Sequence, residues 1–147
     1  MAVIPIDAKG RAQREATIRA VLAAQNDHRI DDVIGCFAHP RYELAGTKRV
    51  FDGADEVRQH LAASHQHFAD LHLEIVDLHH AEEATVAELV MAGTHTGDWY
   101  DLAATGRRFR SRVAAVFSFE GTDLVGLRLY YDTGSIARQL AGLGAGG

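Results

Sequence analysis

Asp123-Leu-Val-Gly-Leu-Arg-Leu-Tyr-Tyr-Asp132, followed by Thr133-Gly-Ser-Ile-Ala-Arg-Gln-Leu140, decides how the rest of the chain is read. It predicts a final β-strand running into a closing helix. Alternation puts Val125, Leu127, Leu129 and Tyr131 on one face and Arg128, Tyr130 and Asp132 on the other. An acid, a phenol and a guanidinium in line are costly to bury, since an unpartnered carboxylate in an apolar site has its pKa raised by up to ~3–5 units. Two compatible readings of Asp132 follow. Asp132, or Thr133 beside it, caps the closing helix; or a purpose beyond the fold, or solvent, accounts for the polar face.

Working back from this strand, Arg108 to Phe119 carries Phe109, Val113, Ala115, Phe117 and Phe119 on one parity, and Gly121-Thr122 makes the hairpin turn. Ala84 to Thr96 and the alternating run Leu71–Val76 supply two more strands. Upstream, Asp7 caps a helix through about Gln25, with Ile18, Val21, Leu22 and Gln25 on one face. Asp27 to Phe37 reads as a shorter helix stopped by His39-Pro40. Tyr42–Ala45 and Arg49–Phe51 bracket a tight turn at Gly46-Thr-Lys48. Asp52-Gly53 opens a third helix to about Phe68, lined inside by Val57, Leu61, Ser64 and Phe68. This order, without a βαβ repeat, predicts an α+β fold of three helices on a strongly curved, mainly antiparallel sheet. One domain over 1–147 is expected, with flexible tails at 1–6 and 142–147. Its open end would hold a concave, mostly apolar cavity.

A net charge of −5 over 147 residues argues against nucleic acid, which calls for a basic excess. The single Cys36 excludes an internal disulfide and a cysteine zinc site, and its mainly apolar helix makes it a packing residue rather than a nucleophile. The N-terminus lacks a basic region and a long apolar run, so no membrane association and a cytoplasmic location are expected. His60, His65 and His67 do not repeat at 3 or 4 spacing, His79-His80 reads as solvated surface, and no His-Glu-x-x-His motif occurs. No metal is expected. With no P-loop, dinucleotide fingerprint or nucleophile elbow, no cofactor is expected either.

Gly93-Thr-His-Thr-Gly97, Thr105-Gly-Arg107, and a final strand ending Arg128-Leu-Tyr-Tyr-Asp132 with Arg138-Gln-Leu140 behind it, resemble the SnoaL-like polyketide cyclases of the NTF2-like superfamily. The resemblance implies a cone-shaped domain, a pocket between helices and sheet, and a homodimer through the outer sheet face. It also implies a cofactor-free aldol closure with a last-strand aspartate as acid/base, and Asp132 is the matching position. Where the cyclases place a histidine one strand earlier, this chain offers Arg110, Arg112 and Ser118.

Asp132 and His95 are therefore the expected catalytic residues. His95 either donates to an enolate oxygen or orients Asp132, or is bonded to neighbouring backbone. Trp99 and Tyr100 form a stacking wall or lid over a flat substrate, or pack down a hairpin loop, or make a dimer contact. Arg128 counters Asp132 or holds a substrate carboxylate. Tyr130, Tyr42 and Phe68 complete the expected substrate contacts, the last two reading more as core lining. The expected function is aldol cyclisation or keto–enol isomerisation of a hydrophobic carbonyl compound. The alternatives are a non-catalytic binding module and an epoxide hydrolase-like enzyme, for which Asp101 or Glu88 could supply the second carboxylate.

Overall fold

A computed structural model describes residues 6–143, so most of both expected tails lies outside the described residues. The described part is an α+β fold of four helices and a curved, unclosed sheet of six strands. The helix count exceeds the expected three because the closing segment packs as a full element. Helix α1 (Ala8–Asn26) starts where the Asp7 carboxylate accepts from the Gly10 N–H at 2.7 Å. Helix α2 spans only Ile30–Gly35, since His28 adopts a left-handed φ of 60° that breaks the expected longer helix. Strands β1 (Arg41–Leu44) and β2 (Arg49–Asp52) form a hairpin, and helix α3 (Ala54–His67) follows. Strands β3 (His72–His80), β4 (Ala84–Thr94), β5 (Arg108–Glu120) and β6 (Asp123–Tyr130) make a meander before helix α4 (Thr133–Leu140).

The sheet order is β2-β1-β6-β5-β4-β3, antiparallel except where β1 runs parallel to β6. Two bulges bend it. One leaves Val76 unpaired on β3, the other Val125 on β6. The second corrects the simple alternation: Leu124, paired with Phe119, is buried, and Val125 is only half-buried.

Helices α1 and α3 lay Ile18, Val21, Leu22, Val57 and Leu61 over the concave face built by Leu89, Ala115 and Phe117. Asn26 pins the end of α1 to β3, donating to the Leu73 carbonyl (2.9 Å) and accepting from its N–H (2.8 Å). Arg14 is 2% exposed, yet its guanidinium donates to the carbonyls of Gly121, Ala81 and Glu82, tying α1 to both hairpin turns. A second apolar cluster joins Phe68, Leu71, Trp99 and Phe109 to Ile136 and Leu140 of α4. No helix among the described residues is long and apolar enough to cross a membrane.

Candidate functional site

Between α3, the β1–β2 hairpin, the loop after β4 and the start of α4 lies a cavity of about 460 Å³. Its deep wall is apolar, from Phe68, Leu71, Met91, Trp99 and Ile136. Its polar side belongs to α3. Glu56, His60, Ala63 and His67 follow one another at 4, 3 and 4 residues, with Ser64 alongside, so one helical face looks into the space while Val57 and Leu61 enter the core. Arg49 and Phe51 of β2, together with Tyr100 and Tyr131, close it.

The His60 ring lies nearly parallel to Phe51, centroids 4.2 Å apart, and tilted against Tyr42 at 5.8 Å. Burial pushes its pKa down from 6.5 to about 4, with the nearby Arg49 guanidinium and His67 adding to the effect. Its imidazole is therefore neutral at ordinary pH. Tyr131 is pushed up to about 12, first by burial and then by Tyr100, with Arg49 opposing. It stays a phenol able to donate. His67 donates from Nδ1 to the Asp98 carbonyl, which fixes its tautomer and leaves Nε2 as an acceptor when neutral. The cavity thus offers a neutral base and a protonated hydroxyl against an apolar wall.

Of the residues expected at the site, Phe68, Trp99 and Tyr100 lie on this wall. Trp99 packs edge-on to Tyr100 at 4.8 Å and tilted against Phe68 at 5.8 Å. Backbone hydrogen bonds between Trp99 and Leu102 close a small loop in which Tyr100 holds a left-handed φ of 50°.

The others lie elsewhere. Asp132 is exposed and outside the cavity lining; its Oδ1 accepts from the Ser135 N–H at 3.1 Å as the N-cap of α4. Strand β6 ends at Tyr130, so Tyr131 takes the inward position and the next residue turns out. His95 is fully buried behind Phe68, its ring 5.8 Å from that ring. Its Nδ1 accepts from the Thr105 N–H at 3.2 Å and meets the Thr105 hydroxyl at 3.0 Å. This is the backbone-bonded arrangement, and it does not bring His95 to Asp132 or to the cavity lining. Tyr42 is fully buried and donates to Gln25 Oε1 at 3.2 Å, so it belongs to the core. Tyr130 is exposed on the outer face, accepting from Arg128 Nε at 2.7 Å, while Arg128 lies 3.9 Å from Glu43.

Within the Gly93–Gly97 motif, Thr94, Thr96 and Gly97 each have a structural explanation. Thr94 donates to Asp70 from both backbone N–H (2.6 Å) and hydroxyl (2.8 Å), which with other contacts holds that carboxyl below its usual range. Thr96 Oγ1 accepts from the Ala69 N–H at 3.0 Å. A Cβ on Gly97 would stand 2.1 Å from the Gln66 carbonyl oxygen, so only glycine fits under the end of α3. Arg107 donates to the Leu140 carbonyl at 3.2 Å, and Gln139 exchanges hydrogen bonds with the Arg110 backbone at 2.9 and 3.0 Å, fastening α4 to β5.

Sequence reasoning missed His60, His67, Tyr131 and Arg49. The signal for the histidines was their separation of 7, two helical turns, which shares a face as 3 and 4 do. Tyr131 was marked by its parity with Leu127 and Leu129. Arg49 carried no signal. On the outer face of β3 and β4, Asp77, His79 and Glu88 bring ligand atoms within 4.8 Å of one another, with His79 Nε2 2.7 Å from Glu88; this exposed trio lies away from the cavity.

No curated protein matches the chain significantly. Among solved structures, it is similar to a candidate polyketide cyclase from Xanthomonas campestris pv. campestris, with TM-score 0.81 and 16% identity over 89% of this chain and 98% of that one. TsrD from Streptomyces laurentii aligns with TM-score 0.76 and 25% identity, covering 88% and 96%. A protein of ketosteroid isomerase-like fold from Catenulispora acidiphila, solved with trimethylamine, gives TM-score 0.74 and 17% identity, covering 85% and 92%. The sequence profile of the SnoaL-like polyketide cyclases matches residues 15–140, and with that span inside the profile the chain belongs to the SnoaL-like polyketide cyclase family.

Proposed function

We propose that the chain is a cofactor-free acid/base enzyme of SnoaL-like type. It acts on a hydrophobic carbonyl compound held in the cavity, by aldol cyclisation or keto–enol isomerisation. The observation that carries this reading is a neutral His60 and a protonated Tyr131 lining one cavity whose deep wall is apolar. His60 takes the proton α to the carbonyl; Tyr131 donates a hydrogen bond to the enolate oxygen that forms. A positioned base contributes about 10²–10⁴-fold. Its low pKa does not disqualify it, since ketosteroid isomerase works with an aspartate base of pKa only about 4.6. In this reading Asp132 and His95 do structural work, as helix cap and loop tie. The experiment is deuterium exchange at the α-carbon of an aryl methyl ketone in D2O, wild type against His60→Gln. Loss of exchange in the variant supports the assignment; equal exchange overturns it.

The binding-module alternative draws on one observation, that the acid and histidine matching the family pattern are both engaged in structure outside the cavity lining. Absence of exchange in the wild type, with retained ketone binding, would select it. The outer sheet face, where Val86 pairs with Val116 and Ala92 with Arg110, offers a small-residue strip framed by charges, consistent with a homodimer. Light scattering at a monomer mass would exclude that assembly.

A further inference from the structure

Resting on that proton-transfer reading, we infer that the substrate carries a carboxylate, received by Arg49 beside the base. Arg49 lines the cavity and is itself exposed. Its guanidinium lies 5.0 Å from the centroid of the Phe51 ring, the same ring that stacks on His60 at 4.2 Å. Arginine, aromatic ring and imidazole therefore form one continuous piece of wall.

Arg49 is the arginine on this cavity's lining; of those off it, Arg19, Arg41, Arg108, Arg110 and Arg138 also form no ion pair among the described residues, whereas others are occupied. Arg29, Arg58, Arg112 and Arg128 face carboxylates, and Arg14 and Arg107 donate to backbone carbonyls. Arg49 forms no ion pair among the described residues. The one carboxylate on the cavity lining, Glu56, turns back to the start of α3, where its Oε1 accepts from the Asp52 N–H at 3.4 Å. The remaining polar groups around the space are His67, Ser64, Gln59 and the phenols of Tyr100 and Tyr131, none of them anionic in its ordinary state. Arg49 acts on both His60 and Tyr131 in the direction expected of an unanswered positive charge, disfavouring the proton on each.

A free guanidinium with its fork of donors suits a planar carboxylate, and an aromatic body behind that carboxylate would rest against Trp99 and Phe68. Binding then has a second consequence. The carboxylate cancels the positive field that Arg49 exerts on His60, so the substrate's own charge makes its base stronger.

The test uses 6-acetyl-2-naphthoate and its methyl ester, which differ in charge but share an acetyl group with exchangeable protons. The single tryptophan, Trp99, sits on the cavity wall, so its fluorescence reports binding there. Wild type should bind the carboxylate more tightly than the ester. Arg49→Gln should weaken carboxylate binding by about tenfold or more and leave the ester unchanged, while Arg49→Lys should keep part of the preference. NMR titration of the His60 imidazole should show its pKa rising with the carboxylate bound and not with the ester. Equal loss of both ligands in Arg49→Gln, or no loss of either, would overturn the inference. If the charge preference holds but His60→Gln still exchanges the acetyl protons at the wild-type rate, the proton-transfer reading fails and carboxylate recognition stands.

Discussion

The corner formed by Gly93–Gly97 with Thr105–Arg107, and the face that α3 turns to the cavity, make opposite use of their polar residues. At the corner Thr94, His95, Thr96 and Arg107 each bond to a neighbouring part of the chain, and Gly97 lies where a Cβ would strike the Gln66 carbonyl. On α3, His60 is held by stacking on Phe51 and Gln59 lines open space, while Glu56 and His67 line it with one bond each to the chain, to the Asp52 N–H and the Asp98 carbonyl. These bonds make the corner's side chains ties within the fold, although the buried Nε2 of His95 has no partner among the described residues. The corner therefore builds the cavity, and the helix face furnishes it.

The largest effect that would break this contrast is on turnover. His60→Gln should lower α-proton exchange by about 10²–10⁴-fold with no loss of folding, read by NMR exchange and circular dichroism side by side. Gly97→Ala should do the reverse, costing about 3 kcal/mol in urea unfolding because its new methyl meets backbone that must move; an unchanged midpoint would mean that the corner is not structural.

Acid sharpens the comparison next. Below pH 6.5 the unfolded chain takes up a proton on His60, while the folded chain resists until about 4. This contribution is present above 6.5 and is lost as pH falls toward 4, by up to about 3 kcal/mol. Unfolding midpoints of His60→Gln across that range should fall less steeply than those of wild type. The smallest effect belongs to Asp132→Ala, expected to cost about 1 kcal/mol through loss of the α4 cap and to leave turnover unchanged. A large loss of turnover with stability intact would return Asp132 to the chemistry.

Much of this was legible in residue order. Asp7 as a cap, Val57 and Leu61 as the buried stripe of α3, and the alternation of Phe109 to Phe119 each follow from short-range periodicity, which depends only on how side chains project from a helix or strand. The SnoaL-like family could be recognised from the Gly93–Gly97 corner and the final strand. Periodicity also carried, unread, the separation of His60 and His67 and the inward parity of Tyr131.

Tertiary structure alone decided which of several plausible groups meets the cavity. The Val125 bulge put Leu124 rather than Val125 inward at the start of β6, and the strand's end at Tyr130 sent Asp132 to the helix cap. Arg49, on an edge strand with no motif around it, came beside His60 only because the β1–β2 hairpin packs against α3. Local sequence dictates which way a side chain leaves its own element; what lies opposite it depends on contacts between elements far apart in the chain.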